Sequence, residues 1–164
     1  MVLLGGAVLL AGILNGVIQA GFNHRDTRGN GTESSDELKR KRTRSAEIGF
    51  ATGFLSGFFS AMYPVAAPFL LGAGGAINNY VVQNDNAKAG EEINPGSIVA
   101  SGVLGALFGK FAGAASSASS TFTREFAEIG WNLILTLPTA LTQSVLPGPK
   151  APSTCNGKAQ CYAK

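Results

Sequence analysis

The sequence predicts an all-α protein with four to five Gly-rich apolar helices, arranged as membrane-competent helical hairpins without a sheet. Charged residues make up 14% of the 164 residues, against about 25% in ordinary globular domains. Such sparse charge argues against a disordered polyelectrolyte and against a conventional soluble enzyme. No segment alternates apolar and polar residues as a half-buried strand would. The charges are clustered, and four long stretches contain none except Lys110: residues 1–23, 48–84, 93–122 and 129–149.

The uncharged stretches have lengths close to those of one or two membrane-spanning helices. A helix needs about 20 mainly apolar residues to cross a bilayer. The first stretch is long enough for one crossing, the second for two, and the other two are borderline. Because Gly, Ala, Ser, Asn and Thr dilute the Leu and Ile, each segment is only marginally apolar. The alternative is a soluble all-helical domain whose Gly-rich core is wholly buried.

The first element is a predicted helix over Val2–Gly21. Its apolar centre and small-residue ending also suit a secretory signal over Met1–Phe22. A signal, however, normally carries Lys or Arg before its apolar part, and this segment has neither. We therefore favour a membrane-competent helix here.

Residues 23–47 are predicted to form a polar basic loop. They hold seven of the thirteen basic residues of the chain. Asn30-Gly31 is a turn signal. Ser34-Ser35-Asp36-Glu37 is typical of a helix start and could cap a short helix running into Leu38–Arg42.

The second charge-free stretch predicts a helical hairpin. A proline inside a helix removes a hydrogen bond and clashes with the preceding turn. Pro64 therefore splits the stretch into a helix over Ala46–Met62, a break at Tyr63-Pro64, and a second helix over Ala66–Val82. The amides that follow, from Asn78 to Asn86, are interpreted as the return of the chain to water.

The remaining elements follow a polar loop over residues 84–96. Ser97 is the predicted N-cap of a helix over Ile98–Ala115. A fourth apolar segment is predicted over Thr123–Leu137, with a kink at Pro138 or a restart after it. The sequence thus divides into a membrane-inserting helical region, residues 1–146, and a flexible polar tail, residues 147–164.

Two stripes of glycine at four-residue spacing are the candidate helix-association sites. Residues four apart lie on nearly one face of a helix. In lipid, where apolar side chains gain nothing by meeting each other, small residues let helices associate closely. The stripes therefore predict close contacts, either inside one small bundle or between copies assembled around a pore. They consist of Gly49, Gly53 and Gly57, and of Gly105, Gly109 and Gly113.

A basic cluster precedes the hairpin and consists of Lys39, Arg40, Lys41, Arg42 and Arg44. Beside apolar segments, such a cluster is typical of a surface that meets anionic lipid headgroups, each basic residue contributing about 1 kcal/mol. A plain solvated loop and a nucleic-acid patch are the alternatives. Cys155 and Cys161 could form a small disulfide in an oxidising compartment, or remain two reduced thiols.

No catalytic, cofactor-binding or metal-binding constellation is predicted, and we interpret the chain as not an enzyme. His24 is the only histidine and lies in a charged segment beside Arg25 and Asp26. The adjacent pair Glu91-Glu92 lacks the opposed acids or the metal set that a glycosidase or nuclease requires.

One stretch resembles a known family. Glu92-Ile93-Asn94-Pro95-Gly96-Ser97-Ile98-Val99-Ala100-Ser101-Gly102-Val103-Leu104-Gly105-Ala106, an Ile-Asn turn followed by a small-residue helix, is similar to Gly/Ala-rich regions near the C-terminus of RHS-repeat polymorphic toxins. The chain looks like the C-terminal toxin fragment of a type VI secretion effector of the membrane-depolarising, pore-forming type.

This resemblance implies a secreted toxin that is released from a hollow RHS shell, delivered to a competing bacterium, and neutralised by a cognate immunity protein. The family's catalytic residues have no counterpart here, which favours a pore former over an enzymatic toxin. The expected partners are the lipid of the target's inner membrane and further copies of the chain, with no nucleic acid. The alternatives are a non-conducting translocation or structural membrane segment, and a soluble nucleic-acid binder using Lys39–Arg44.

Overall fold

The computed structural model describes residues 2–117, 141 and 145–150. Within them the chain forms four α-helices and one 3₁₀ turn: α1 (Val2–Asp26), α2 (Ser35–Met62), the turn Pro64–Ala66, α3 (Ala67–Asn86) and α4 (Pro95–Ser117). The described residues contain no strand, and their one β-bridge joins Glu92 to Lys150. The prediction of an all-helical fold without a sheet is confirmed. The predicted helix over Thr123–Leu137 lies outside the described residues.

The region 23–47 is mostly helical, and its interpretation as a loop was wrong. The connection is confined to residues 27–34, because α1 continues to Asp26 and α2 begins at Ser35. Ser34 is the N-cap, and its side chain accepts a hydrogen bond from the backbone N–H of Glu37. The acidic residues of this first turn, Asp36 and Glu37, stabilise the helix because they interact favourably with the positive end of its dipole. Lys and Arg are good helix formers, so the basic run continues the helix into the apolar stretch without a break.

The break in the hairpin is where the sequence places it. α2 ends at Met62, Tyr63 caps it, and Pro64 opens a 3₁₀ turn that leads directly into α3. α3 then continues past the predicted end at Val82 to Asn86.

The start of α4 differs from the prediction. Pro95 occupies the first helical position, where its missing N–H costs nothing, so Ser97 lies inside the helix. The residue before the helix, Asn94, takes the predicted capping role, because its side-chain oxygen accepts a hydrogen bond from the Ser97 backbone N–H at 3.4 Å.

The helices pair as two antiparallel hairpins, α1 with α2 and α3 with α4, which are joined through α2 and α3. This arrangement gives the molecule two unlike ends. We call one the charged end: it holds the end of α1, the start of α2, the end of α3, the start of α4 and their connections. Asn86 joins the two hairpins there, because its side-chain oxygen accepts from the backbone N–H groups of Arg28 at 2.6 Å and Gly29 at 3.0 Å. We call the opposite end, residues 62–69, the tip.

Candidate membrane interface

Large apolar side chains cover the outside of the helices. At the tip, Val65 is 89% exposed and Phe69 is 78% exposed. A soluble monomer seldom exposes so many large apolar side chains along every helix. Beyond the tip, the exposed set includes Leu9, Leu10, Ile13 and Val17 on α1, Phe50, Leu55 and Phe59 on α2, Ile77 and Tyr80 on α3, and Val99, Val103 and Leu107 on α4.

The interior is polar. Among the described residues, the buried hydrophobic side chains are Ala11 and Ala67. The buried polar side chains are far more numerous, whereas in water-soluble domains Asn, Gln, Asp and Ser are mostly exposed. They are Asn15, Gln19, Asn23, Thr27, Ser45, Ser56, Ser60, Asn78, Asn79, Gln83, Asp85, Asn94, Ser97 and Ser101. Burial is therefore inverted relative to a soluble helical domain.

A seam of hydrogen-bonded amides joins α1, α2 and α3. Asn78 lies at its centre and is 1% exposed. Its side-chain oxygen accepts from Asn23 Nδ2 at 3.0 Å and from Thr52 Oγ1 at 2.9 Å, and its Nδ2 donates to Gln19 Oε1 at 3.2 Å. Asn23 Nδ2 also donates to the backbone carbonyl of Ser45 at 3.0 Å. Without these hydrogen bonds, each buried polar group would be unsatisfied and would reduce the stability of the fold by about 1–3 kcal/mol.

A second amide cluster ties α3 to the start of α4. Gln83 Oε1 accepts from the backbone N–H of Asn94 at 2.7 Å, and Gln83 Nε2 donates to Asn79 Oδ1 at 2.5 Å. Asn78, Asn79 and Gln83, which the sequence analysis interpreted as a return to water, are thus interior residues, and that interpretation was wrong. The partners of Asn78 lie on other helices, far along the chain, and Gln83 bonds to Asn94, 11 residues on, so composition gives no signal of these contacts.

The first glycine stripe lies against α1 of the same chain. A Cβ atom added at Gly53 would lie 2.5 Å from the backbone carbonyl oxygen of Asn15, and one added at Gly49 would lie 2.8 Å from that of Gln19. At Gly57 an added Cβ would meet the Asn15 side chain. Each contact is shorter than any real Cβ atom tolerates, so only glycine permits this approach of the two backbones.

The second stripe lies against α3 of the same chain. A Cβ atom at Gly109 would lie 2.6 Å from the carbonyl oxygen of Ala67, and one at Gly105 would overlap the carbonyl oxygen of Leu71. Gly113 lies within α4, beyond the part of that helix whose side-chain surroundings are described. The described members of both stripes therefore contact a helix of their own hairpin.

Two further glycines on α1, which are not among the predicted helix-association residues, complete the first contact. A Cβ atom at Gly12 would lie 3.1 Å from the carbonyl oxygen of Phe54, and one at Gly16 would lie 3.0 Å from that of Phe50. The rings of these phenylalanines lie over the same glycines, and they stack on each other at 6.1 Å between centroids. The four-residue spacing of Gly12 and Gly16 was the available signal.

The basic cluster lies on the first turns of α2, at the charged end. Lys39, Arg40 and Arg44 are exposed, whereas Lys41 and Arg42 are half-buried. The cluster therefore presents three cations to the surroundings and uses two in the fold.

The two half-buried cations hold the connection between α1 and α2. Lys41 donates to the carboxylate of Glu33, and Arg42 Nε donates to the backbone carbonyl of Thr27 at 2.9 Å. The hydrogen bond from Lys41, assisted by backbone N–H groups of Asn30 and Gly31, lowers the pKa of Glu33 below its ordinary value of 4.5. Glu33 thus stays ionised and fixes the loop against α2.

The other candidate residues contribute no assembled site in the described part of the chain. Cys155 and Cys161 lie outside it. Residues 2–117, 141 and 145–150 contain no group of three His, Cys, Asp or Glu placed to hold a metal ion. A cavity of about 220 Å³ lies at the charged end, lined by Asp26, Arg28, Asn86 and residues 146–149 among others.

One stretch within the described residues, Pro64–Asn86, is long and apolar enough to cross a membrane. A core helix of a soluble protein can pass the same test, but such a helix is mostly buried, and only 28% of this window is buried. Its outward face is therefore open to whatever surrounds the bundle.

The chain was also compared with known proteins. No family model, curated protein or solved structure matches it. Its function is therefore inferred from the placement of its own residues.

Proposed function

We propose that this chain inserts into a lipid bilayer and conducts ions across it, collapsing the membrane potential of a target cell. The observation that carries the proposal is the inverted burial, with large apolar side chains outside and amides and hydroxyls inside. In water, leaving apolar surface exposed costs about 25 cal/mol per Å² relative to burying it. In lipid the same surface meets hydrocarbon, and this penalty disappears.

The interhelical contacts also match the forces that operate in lipid. Helices in a bilayer associate through close packing of small residues and through interhelical hydrogen bonds. The carbonyl contacts of Gly53 and Gly109 are of the first kind. The bonds of Asn78 to Asn23 and Gln19 are of the second kind.

Conduction requires more than one copy of the bundle in this proposal. In the described part of a single copy, hydrogen bonds among Gln19, Asn23, Thr52 and Asn78 close the seam between α1, α2 and α3. The described members of its glycine stripes are occupied by contacts within the chain, so copies would meet through their exposed ridges. Val99, Val103 and Leu107 form one such ridge on α4, at four-residue spacing.

The biological setting follows from the resemblance of residues 92–106 to RHS-repeat toxins. In that setting a type VI secretion effector is delivered to a competing bacterium, and its target is the inner membrane. An enclosing RHS shell would keep the apolar exterior from water before release. A cognate immunity protein would protect the producing cell.

A second candidate is a non-conducting membrane segment that serves translocation or structure. The closed, hydrogen-bonded seam around Asn78 favours it, since that seam leaves no path through a single bundle. Both candidates require insertion, and they differ only in whether ions cross.

Planar-bilayer recording of the purified full chain tests the proposal. Discrete current steps, whose frequency rises steeply with protein concentration, are the expected result. Flotation of the same protein with anionic lipid vesicles provides the second measurement. Vesicle binding without current would favour the non-conducting segment, whereas failure to bind vesicles at all would refute membrane insertion.

A further inference from the structure

The tip carries two of the three most exposed large apolar side chains of the described residues; the third is Val145. Val65 and Phe69 are 89% and 78% exposed, and Met62 and Tyr63 are also exposed. Pro64 opens the turn and Pro68 lies in the first turn of α3, so the short link holds these side chains outward. Nothing in the described part of the protein covers them.

Residues 62–69, which form the tip, carry no charge, and the basic cluster lies at the opposite end of the bundle. Residues 48–84 contain no Asp, Glu, Lys or Arg, whereas the charged end presents Lys39, Arg40 and Arg44. A hairpin with this polarity suits a bilayer, because the cations can stay among anionic headgroups while the tip enters hydrocarbon.

The uncharged hairpin is slightly shorter than the hydrocarbon core of a bilayer. At about 1.5 Å per residue, residues 48–62 of α2 extend about 22 Å and residues 67–84 of α3 extend about 27 Å. The hydrocarbon core is about 30 Å thick. A segment shorter than the hydrocarbon core is accommodated by local thinning of the bilayer. With the charged end at one surface, the turn at Val65 therefore reaches the opposite headgroup layer where the bilayer thins around the hairpin.

Residue types that favour membrane–water interfaces lie at both ends of the hairpin, near the charged end and at the tip. Tyrosine is enriched at the two membrane–water interfaces. Tyr80 is exposed near the charged end and Tyr63 is exposed at the tip. Lys110, the only cation in residues 93–122, is exposed on α4. Its neighbour Gly109 contacts Ala67, which places Lys110 level with the tip, where a lysine can extend to headgroups.

We propose that the α2–α3 hairpin enters the bilayer tip first and crosses it completely. The charged end stays on the side of entry, and Tyr63, Val65 and Lys110 lie at the opposite interface. This inference rests on the proposed membrane insertion and adds its direction and depth. The partner of the tip is lipid, first the hydrocarbon and then the far headgroup layer.

Single-cysteine labelling of the full chain in vesicles tests it. Cys155 and Cys161 are first replaced by Ser, and one cysteine is then introduced at a time. Lys39→Cys reports the charged end, Leu55→Cys the middle of α2, and Val65→Cys the tip. The protein is added to the outside of preformed anionic vesicles. The probe is a maleimide on a large polyethylene glycol chain, either added outside or trapped inside.

We expect Lys39→Cys to react only with the outside reagent, Val65→Cys only with the trapped reagent, and Leu55→Cys with neither. Reaction of Val65→Cys from outside, or from neither side, would overturn the inference. If the unsubstituted chain still conducts in that case, the proposed function survives and only the direction or depth is wrong. If the unsubstituted chain does not float with vesicles, both proposals fail.

Discussion

Replacing Gly53 by alanine adds one methyl group at the closest backbone approach in the first hairpin. The new Cβ atom would lie 2.5 Å from the Asn15 carbonyl oxygen, whereas ordinary contacts begin at 3.4 Å. To relieve this overlap, α1 and α2 must separate by roughly 1 Å, and such a gap forfeits a quarter to a half of the dispersion energy at each lost contact. Overpacking of this kind costs about 1–3 kcal/mol.

The matched control is Gly21→Ala, which makes the same chemical change on α1. A Cβ atom at Gly21 would meet nothing within 4 Å. Alanine should therefore be neutral there, or stabilising by up to about 1 kcal/mol through its higher helix propensity. Because that propensity gain applies equally to Gly53→Ala, the difference between the two variants isolates the helix–helix contact.

Thermal unfolding in detergent micelles, followed by circular dichroism, measures this difference. We expect Gly53→Ala to unfold at a lower temperature than Gly21→Ala. The larger change Gly53→Leu should still bind vesicles, since leucine makes the helix more apolar, but should no longer depolarise them. If Gly53→Ala matched Gly21→Ala in stability and in conductance, the close approach of α1 and α2 would not exist in the working protein.

Three further predictions concern the seam, the connection and the tip. Asn78→Leu strands buried amide partners and should destabilise the micelle-bound fold by about 1–3 kcal/mol in the same unfolding assay, whereas Asn84→Leu, at an exposed position of the same helix, should change little. The lowered pKa of Glu33 means that its ion pair stabilises the fold above pH 4.5 and loses that contribution as the pH falls through the lower folded-state pKa; Glu33→Gln should therefore flatten the acid limb of a stability–pH curve, and an unchanged limb would refute the assignment. Val65→Asp should slow depolarisation of dye-loaded vesicles, because in tip-first entry the aspartate must pass the bilayer centre, where it costs about 2.5–3.5 kcal/mol, while Ser35→Asp adds the same charge at the charged end and should leave the rate unchanged.

The helices and the hairpin break were predictable because their causes are local. A charge-free stretch predicts an apolar helix, and Pro64 predicts the turn from the geometry of its own ring. The boundaries were harder to predict where a charged segment continues a helix. The residues from Ser34 to Glu37 predict a helix start. Lys and Arg are good helix formers, so nothing in the basic run ends that helix before the apolar part of α2.

The seam could not be predicted because its causes are not local. Asn23 and Asn78 are of a residue type that is usually exposed, and both are buried here against partners on other helices, including each other, 55 positions apart. The glycine stripes predict a close helix–helix contact, but the same spacing is expected whether the partner helix belongs to the same chain or to another copy. Distances to carbonyl oxygens, such as that between Gly53 and Asn15, distinguish the two cases, and spacing alone cannot.

The antiparallel pairing of α1 with α2 places the two flanks of the described chain on opposite ends of the bundle. Ala11 lies beside Gly57, so α1 runs from the tip toward the charged end, and Val2 starts near the tip. The backbone N–H groups of Lys150 and Glu92 each donate a hydrogen bond to the carbonyl oxygen of the other residue at 2.8 Å. These two bonds hold the other flank at the charged end. If the hairpin enters the bilayer tip first, as proposed, a folded domain fused before residue 2 would have to travel with the tip through hydrocarbon, whereas one fused after residue 150 would remain on the side of entry. Reporter proteins and affinity tags therefore belong at the C-terminal end of this chain.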